Sequence, residues 1–580
     1  MTERSWLAPI HLLATVGTKV VVFNHLTGQA RAIDDRLYAR LYSPTGDAVH
    51  GTTADDLSPA DLRKAEEAQL IVRERRILER LKGGDDRPPC RIGAVAIVTK
   101  NRPATLVRLL DALLLARQQN GRAYRVIVVD DSIGHHRDRV RRAVAAAGKR
   151  HGAAVEYVGQ TERRRLIGAM SGSGSLTQRI LSFTMQGAGY AGPTFGAALN
   201  TALLSTAGTP VALFDDDIVP QVGVPDYADP TQMRLASDYD PTTLRIHSSL
   251  AAAAKTISWS DADPVACHEE VLGASLGHVA RRLPSHLQPD SPPAAFKLLR
   301  GPAANGRIGV TAFGIVGDCG MGSLHNYIGI RDDDLVRLIA AGASYRKLIR
   351  SRWVTRAAPC LVINGGGFLM GAAIGVDNTS VVPPFVPLWR NSDGLFAQCL
   401  LACADDVYLG FLPKVVQHLP PSRRAGRTGS AQHAASIGVS HVLSYLTRAY
   451  PGRHAHASTV DKLKGLGDYL QSIGSQSPPV FMSMLRRTRD EILSGHLVFL
   501  QRRSREVRPD GGGYRSWLAD VDAQKAALAK KLTAGSVPVV SEISVENLRT
   551  LICDVGAMFA GWPDLWAALR DRAESRPPQA

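Results

Sequence analysis

The spacing of apolar residues changes character along the chain. Up to about residue 86, apolar positions alternate in TKVVVFNHLTGQARAI, which predicts a β-hairpin turning at Leu26-Thr27-Gly28. They then recur at helical spacing in DDRLYARLY and SPADLRKAEEAQLIV, where Ser58-Pro59 makes a helix start because proline suits the first helical position. A small α+β module over 1–86 is expected. Beyond it, the apolar strands RIGAVAIVTKN, YRVIVVDDS and PVALFDDD are separated by the helical patterns PATLVRLLDALLLARQQ and FGAALNTALLSTAG. Continuous apolar strands between amphipathic helices predict an α/β domain over 90–420, with a parallel sheet covered on both faces. Helical spacing returns in SIGVSHVLSYLTRAY, SMLRRTRDEILSGHLVFLQRR and NLRTLICDVGAMFAGWPDLWAALR, an α-helical C-terminal domain over 430–580. The breaks are KGGDDRPPC, Lys82 to Cys90, which has the composition of a linker, and HLPPSRRAGRTGSAQ, His418 to Gln432.

Chemistry enters where the strands end. In open α/β sheets ligands gather at the carboxyl ends of strands, and both acidic clusters, Asp130-Asp131 and Asp215 to Asp217, fall there. Three adjacent carboxylates raise one another's pKa unless a cation, a proton or arginines neutralise them. A divalent metal is the economical solution. If the segment stays extended, Asp215 and Asp217 point to one side and reach a single ion while Asp216 faces elsewhere. Oxygen ligands suit Mn²⁺ or Mg²⁺, and such an ion can bridge a diphosphate leaving group.

Composition narrows the field further. At 580 residues the chain exceeds the roughly 250–300 residues at which single cores stop growing, so two or three domains are expected. The 45% hydrophobic and 21% charged content excludes a largely disordered protein. A net charge of +16 favours an anionic partner such as a nucleotide, a phospholipid surface or a phosphorylated acceptor. No apolar run reaches the ~18–20 residues of a membrane span, and MTERSWLAPIHLLATVGTK is a poor signal peptide. A cytoplasmic location follows, with peripheral contact at the inner face of a membrane left open. The seven cysteines lack any C-x-x-C pair, so neither a disulfide framework nor a zinc ribbon is indicated. The run Arg163 to Arg165 either binds phosphate or, as charge runs usually do, makes a solvated face. Trp389 either stacks on a ligand or packs, and the glycines of NGGGFLMG, Asn364 to Gly371, either let a ligand approach closely or make a tight turn.

AIVTKNRPATLVRLLDAL, VIVVDDS, GAALNTALLSTAGTPVALFDDD, PPFVPLWRNSDGLF and LPKVVQHLP, in that order, resemble a GT-A fold (Rossmann-like αβα) glycosyltransferase of the family-2 type, with some likeness to the galactofuranosyltransferase branch. The resemblance spans Ile92 to about Pro420. It implies a nucleotide-diphosphate sugar donor and places Thr99, Asn101, Arg102, Asp130, Asp131 and Asp216 on the donor side, the aspartate closing the second strand meeting a uracil-like N–H. It makes Asp215 and Asp217 the metal-linked D-x-D pair, adds His418 as a third ligand, and makes Asp393 the general base on an acceptor hydroxyl. The family often has Glu-Asp where this chain has Ser392-Asp393. A base and a leaving group on opposite sides imply inversion at the anomeric carbon. The segment 220–359 is longer than such a fold needs and is expected to be an acceptor-binding insertion. VVVFNHLTGQARAIDDRLYARLY and the final AQLIV resemble PqqD-like peptide-recognition domains, which would make a peptide the acceptor; otherwise a glycan or lipid-linked saccharide is expected, and no nucleic acid. Two alternatives stand beside this reading. One is a sugar-nucleotide nucleotidyltransferase-like enzyme, although VTKNRP lacks its glycine-rich phosphate loop; the other is a catalytically silent carbohydrate- or peptide-binding scaffold.

Overall fold

The computed structural model describes residues 5–8, 10–24, 27, 29–42, 57–171, 176–236, 240–283, 285–287, 298–299, 305–320, 330, 332–421, 436–455, 457–506, 513–534, 540 and 542–575. At the N-terminus β1 (Ser5–Leu7) pairs with β5 (Ile71–Arg73), and β2 (Ile10–Val16), β3 (Lys19–Asn24) and β4 (Gln29–Asp34) form an antiparallel sheet. The expected hairpin is present as β3 and β4, while residues 26 and 28 of its turn lie outside the described residues. Ser58 caps the helix Pro59–Glu67 by accepting the Asp61 amide at 3.1 Å. That helix stops short of the apolar LIV, because Gln69 adopts a left-handed backbone (φ 59°) and Ile71–Arg73 turns into strand β5. The expected linker over 82–90 is pinned rather than loose: Cys90 N–H donates to the Leu272 carbonyl at 2.8 Å, and Asp86 lies 2.7 Å from His278 Nδ1.

The molecule is mixed α/β, built on one 14-stranded mixed sheet. β6 (Ala94–Thr99), β7 (Arg125–Asp130) and β9 (Val211–Asp215) are parallel, as the pattern predicts, and β8 (Glu156–Val158), which the pattern does not name, joins them in parallel beside β7. Their alternate residues serve two cores. Ala94, Ala96, Ile127, Val129 and Leu213 face one, and Val95, Ile97, Val126, Val128 and Phe214 face the other, so no position can be polar. The rest corrects the expectation of a wholly parallel sheet. After β10 (Ile218–Pro225), β11 (Met233–Ala236), β12 (Thr243–His247), β13 (Ile257–Ser260) and β14 (Ser285–Leu287), the chain enters β15 (Arg307–Asp318), then β16 (Trp353–Ala357), β17 (Leu361–Asn364), β18 (Ala373–Val376) and β19 (Val407–His418). β18 is antiparallel to both β9 and β15, and β15 is parallel to β19. Two reversals restore direction, so β15 and β19 end on the same edge as β6, β7 and β9. Segment 220–359 thus supplies seven strands of this sheet, with β15 between β18 and β19.

The C-terminal part is helical, including Val439–Ala449, Thr459–Gly474, Pro478–Glu506, Tyr514–Thr533 and Val545–Glu574. The last of these lies against the sheet's helices: Trp562 and Trp566 donate through Nε1 to the Val382 carbonyl at 2.6 Å and Asn378 Oδ1 at 2.9 Å, and Asp554 pairs with Arg179. Buried indoles need such partners, and each pins one turn of the helix. Cys399 and Cys403 lie in the core as thiols. Among the described residues no helix is long and apolar enough to cross a membrane.

One buried group gives the fold a pH signature. His268 is fully buried, edge-on to Phe313 with centroids 4.9 Å apart, with Nδ1 2.8 Å from Thr311 Oγ1. Burial, helped by Lys414, pushes its pKa from 6.5 down to about 3. The folded value lies below the unfolded one, so this contribution is complete above the unfolded value and is lost as pH falls toward 3. At pH 4.5 the penalty is about 2–3 kcal/mol. Between pH 7.5 and 4.5, His268→Gln is therefore expected to lose less melting temperature than the wild type. Equal losses would show that the ring charges without cost. Buried carboxylates with opposite slopes, Asp216 and Asp334, are common to both proteins and cancel in the comparison.

Candidate functional site

Five strand ends meet on one edge: Thr99, Asp130, Asp215, Asp318 and His418 close β6, β7, β9, β15 and β19. β9 stops at Asp215, and Asp216 and Asp217 form the turn into β10, so the acidic triplet is not one extended run. Only Asp215 retains solvent access; Asp216 and Asp217 are 3% and 2% exposed. Arg102 answers both: its Nη1 lies 3.1 Å from Asp216 Oδ1 and 2.9 Å from Asp217 Oδ2. Thr99 donates its hydroxyl to Asp216 Oδ2 at 2.6 Å. Burial pushes the Asp216 pKa up to about 6, against the pull of Thr99 and Arg102. For Asp215, burial and then Asp217, Asp216 and Asp393 raise the pKa well above 3.8, opposed by His418.

His418 reaches this turn because Ile218 pairs with it in the antiparallel β10–β19 ladder. Its Nδ1 lies 2.5 Å from the Asp318 carbonyl, which can only accept, so Nδ1 carries a proton and Nε2 faces Asp217 Oδ1 at 3.3 Å. Burial lowers the His418 pKa, but Asp217, the Asp318 carbonyl and Asp215 together outweigh it and leave the value raised. Asp318 was not anticipated from the sequence. Its carboxylate is forked by buried Arg352 at 2.7 and 2.8 Å, which fixes the strand end that orients His418. Arg108, also missed, donates to the carbonyls of Asp217 and Leu419, both at 3.2 Å, and staples β10 to β19. Neither carries a local motif, since both act through partners distant in the chain.

Asp393 joins the same edge through a two-residue backbone bridge. The Asp215 amide donates to the Ala372 carbonyl at 3.0 Å, and the Gly371 amide donates to Asp393 Oδ2 at 2.8 Å. A Cβ at 371 would sit 3.1 Å from Asp393 Cβ, a tight contact that glycine avoids. Asp393 lies in the first turn of the helix Ser392–Cys403, where its own segment's amides, including Gly394 at 2.9 Å, also face the carboxylate. Burial nevertheless leaves its pKa raised. The chain enters this helix through two non-glycine residues with left-handed backbones, Trp389 (φ 64°) and Asn391 (φ 70°). For a bulky residue that conformation is a genuine outlier. Trp389 is 8% exposed and edge-on to Tyr190, so of its two expected roles it packs. Between them, exposed Arg390 donates to the Gly320 carbonyl at 3.1 Å.

The donor-side candidates are present but largely committed to one another. Asn101, left-handed at φ 60°, takes its amide to Ser132 Oγ at 2.7 Å and accepts from the Ile133 amide at 3.3 Å, tying the loops after β6 and β7 together. Asp130 is sealed, accepting from the Ser132 amide and the Tyr157 hydroxyl, both at 2.8 Å. Asp131 accepts from Arg163 at 2.5 Å and from Thr194. Arg163 corrects the expectation of a solvated arginine run: it is fully buried and also donates to the carbonyls of Met185 and Asp130, whereas Arg164 and Arg165 are exposed. The first-turn geometry of the helix Gln160–Met170 aims it at the strand end, and nothing local in the sequence separates it from its neighbours.

The donor set is suitable in kind for a hard divalent cation: carboxylate oxygens of Asp215 and Asp217, and an imidazole whose other nitrogen is fixed by a carbonyl. Among the described residues, however, no three such side chains are gathered as closely as a coordinated ion requires. The guanidinium of Arg102 and the His418 ring hold the two oxygens of Asp217 instead. No protein-family model matches the chain, and no curated protein matches it. Among solved structures, it is similar to the mannosyltransferase PcManGT from Pyrobaculum calidifontis in complex with GDP-Man and Mn²⁺, at 15% identity and a TM-score of 0.27, over 80% of this chain and 94% of that one.

Proposed function

We propose that the chain is a metal-dependent inverting glycosyltransferase of the GT-A type, moving a sugar from a nucleotide-diphosphate donor to an acceptor hydroxyl. The observation that carries this is the meeting of Asp215, Asp217, His418 and Asp393 on one sheet edge, linked by the Gly371-Ala372 bridge. Mn²⁺ or Mg²⁺ would be held by Asp215, Asp217 and His418, and when bound it stabilises the charge developing on a departing diphosphate. Asp393 takes the proton of the acceptor hydroxyl as the new bond forms. Its raised pKa brings it closer to the range in which a carboxylate works as a base, and the helix amides keep it oriented. Thr99, Asn101, Arg102, Asp130, Asp131 and Asp216 make the donor side, with Asp130 and Asp131 acting by holding the loops in shape rather than by offering unpaired oxygens. The division into an N-terminal module (1–86), a catalytic domain (90–420, with acceptor contacts from 220–359) and a helical domain (430–580) belongs to this reading, with a cytoplasmic setting and a glycan, lipid-linked saccharide or peptide as acceptor. A silent binding scaffold is the second reading, favoured by the Arg102 bridge across Asp216 and Asp217.

A thermal-melting panel of nucleotide diphosphates with and without Mn²⁺ separates the two. A ligand at about a hundred times its Kd stabilises by about 2.7 kcal/mol. A Mn²⁺-dependent rise in melting temperature is expected for at least one nucleotide, and Asp215→Ala and Asp217→Ala should each abolish it. A shift that survives both substitutions would move the site elsewhere.

With the donor so identified, Asp393→Asn should lower sugar transfer by about 10²–10⁴-fold while leaving the Mn²⁺-dependent melting shift unchanged. The product's anomeric configuration, by NMR, should be opposite to the donor's. Retention would overturn the displacement mechanism.

A further inference from the structure

We propose that Asp554 and Tyr190 are positioning residues for Asp393, so that the C-terminal helix Val545–Glu574 shapes the reaction by fixing the turn that delivers the base. This rests on the reading of Asp393 as the base of a sugar transfer. The starting observation is backbone strain. Trp389 is bulky, 8% exposed and left-handed (φ 64°), and Asn391 repeats that conformation (φ 70°) two residues before Asp393. Such residues persist only where the surroundings over-determine them, so something must hold residue 389 in place.

The loop between the helices Gln178–Gln186 and Phe195–Ser205 holds it. The Trp389 amide donates to the Pro193 carbonyl at 2.8 Å, and its indole is edge-on to Tyr190 with centroids 6.5 Å apart. Gly192 leaves the space that the indole fills, since a Cβ there would meet Nε1 at 3.0 Å. Two residues earlier, the Pro387 carbonyl accepts from the Ala197 amide at 3.2 Å. The turn is thus moulded on this loop. The loop's own backbone is not of a self-supporting kind, because Gly189 and Gly192 have φ 95° and 141°. Tyr190, between them, ties it down. Its ring is edge-on to Phe183 at 5.6 Å, and its hydroxyl donates to Asp554 Oδ2 at 2.8 Å. Asp554 is 2% exposed in the helix Val545–Glu574, and Arg179 forks the same carboxylate, with Nη1 2.6 Å from Oδ2. Direct contacts therefore run from a buried carboxylate on the C-terminal helix, through Tyr190 and Trp389, to the entry of the helix Ser392–Cys403 that carries Asp393. The Tyr190 hydroxyl is the link that a substitution can cut while keeping the ring.

Tyr190→Phe makes that cut. Amide hydrogen exchange, followed by mass spectrometry with no ligand present, should quicken about tenfold over residues 388–394 relative to β6, as the loss of one hydrogen bond to a charged group implies. With the donor identified by the melting panel, kcat for sugar transfer should fall about tenfold at an unchanged donor KM, because the substitution moves the base and not the donor side. Asp554→Leu should act in the same direction, and adding Tyr190→Phe to it should change little more, since both remove one contact. Trp566→Phe, which loses the bond to Asn378 and loosens the same helix elsewhere, is the control. Its melting temperature should fall with neither of the other changes. Faster exchange confined to 187–194, or a rise over 388–394 no larger than in β6 or in Trp566→Phe, overturns the relay. Transfer by Tyr190→Phe at the wild-type kcat overturns the positioning role and leaves the glycosyltransferase reading standing. A wild type that transfers no sugar, with the exchange coupled all the same, sinks Asp393 as a base and the positioning role with it.

Discussion

The constraint on which the rest depends is negative charge crowded at the ends of parallel strands. Asp215, Asp216 and Asp217 adjoin Asp130 and Asp131 on one edge, and all but Asp215 are nearly or fully withdrawn from water. Buried like charges are tolerated only with matched partners. Each partner comes from a different part of the chain: Arg102 from the loop after β6, Arg163 from the helix Gln160–Met170, His418 from the end of β19. Electrostatic need at one edge is thus a reason for distant segments to converge.

Strand direction makes that convergence geometrically available. β18 reverses the sheet once and β15 reverses it back, so β15 and β19 deliver Asp318 and His418 to the edge where β9 delivers the acids. An all-parallel continuation would have needed long crossovers to do the same. The hairpin-like pairing of β10 with β19 then sets His418 opposite Ile218, one residue from Asp217. Arg108 and Arg352 lock the ends of those strands through carbonyl and carboxylate contacts.

Much of this was legible in the sequence, and the division is physical. β6, β7 and β9 were readable because strands buried on both faces must be continuously apolar, and the helix Pro103–Gln119 because its start and period are local properties. Asp215, Asp217, Asp393 and His418 were nameable as candidates, and they do share an edge. What escaped was set by long-range pairing. The sequence of β15 says nothing of its place in the centre of the sheet, Arg163 looks like its exposed neighbours Arg164 and Arg165, and Asp318 acts on His418 through a carbonyl, which every residue has. The assumption that Asp215 to Asp217 stay extended failed for a related reason. The turn is imposed by the pairing of β10 with β19, and not by the three acids themselves.

The two side chains on Asp217, Arg102 and His418, are not equivalent, and the difference follows from how each is held. His418 sits on a ladder-bonded strand end with its second nitrogen spent on a carbonyl, so any movement of the ring costs that hydrogen bond. Arg102 approaches Asp217's other oxygen on a long side chain, with its backbone fixed and its head partly in solvent. The histidine is thus tied to the strand register, whereas the arginine reaches the acids through its side chain alone. On that argument the edge is organised around the histidine and the acids, with the arginine closing it from the solvent side.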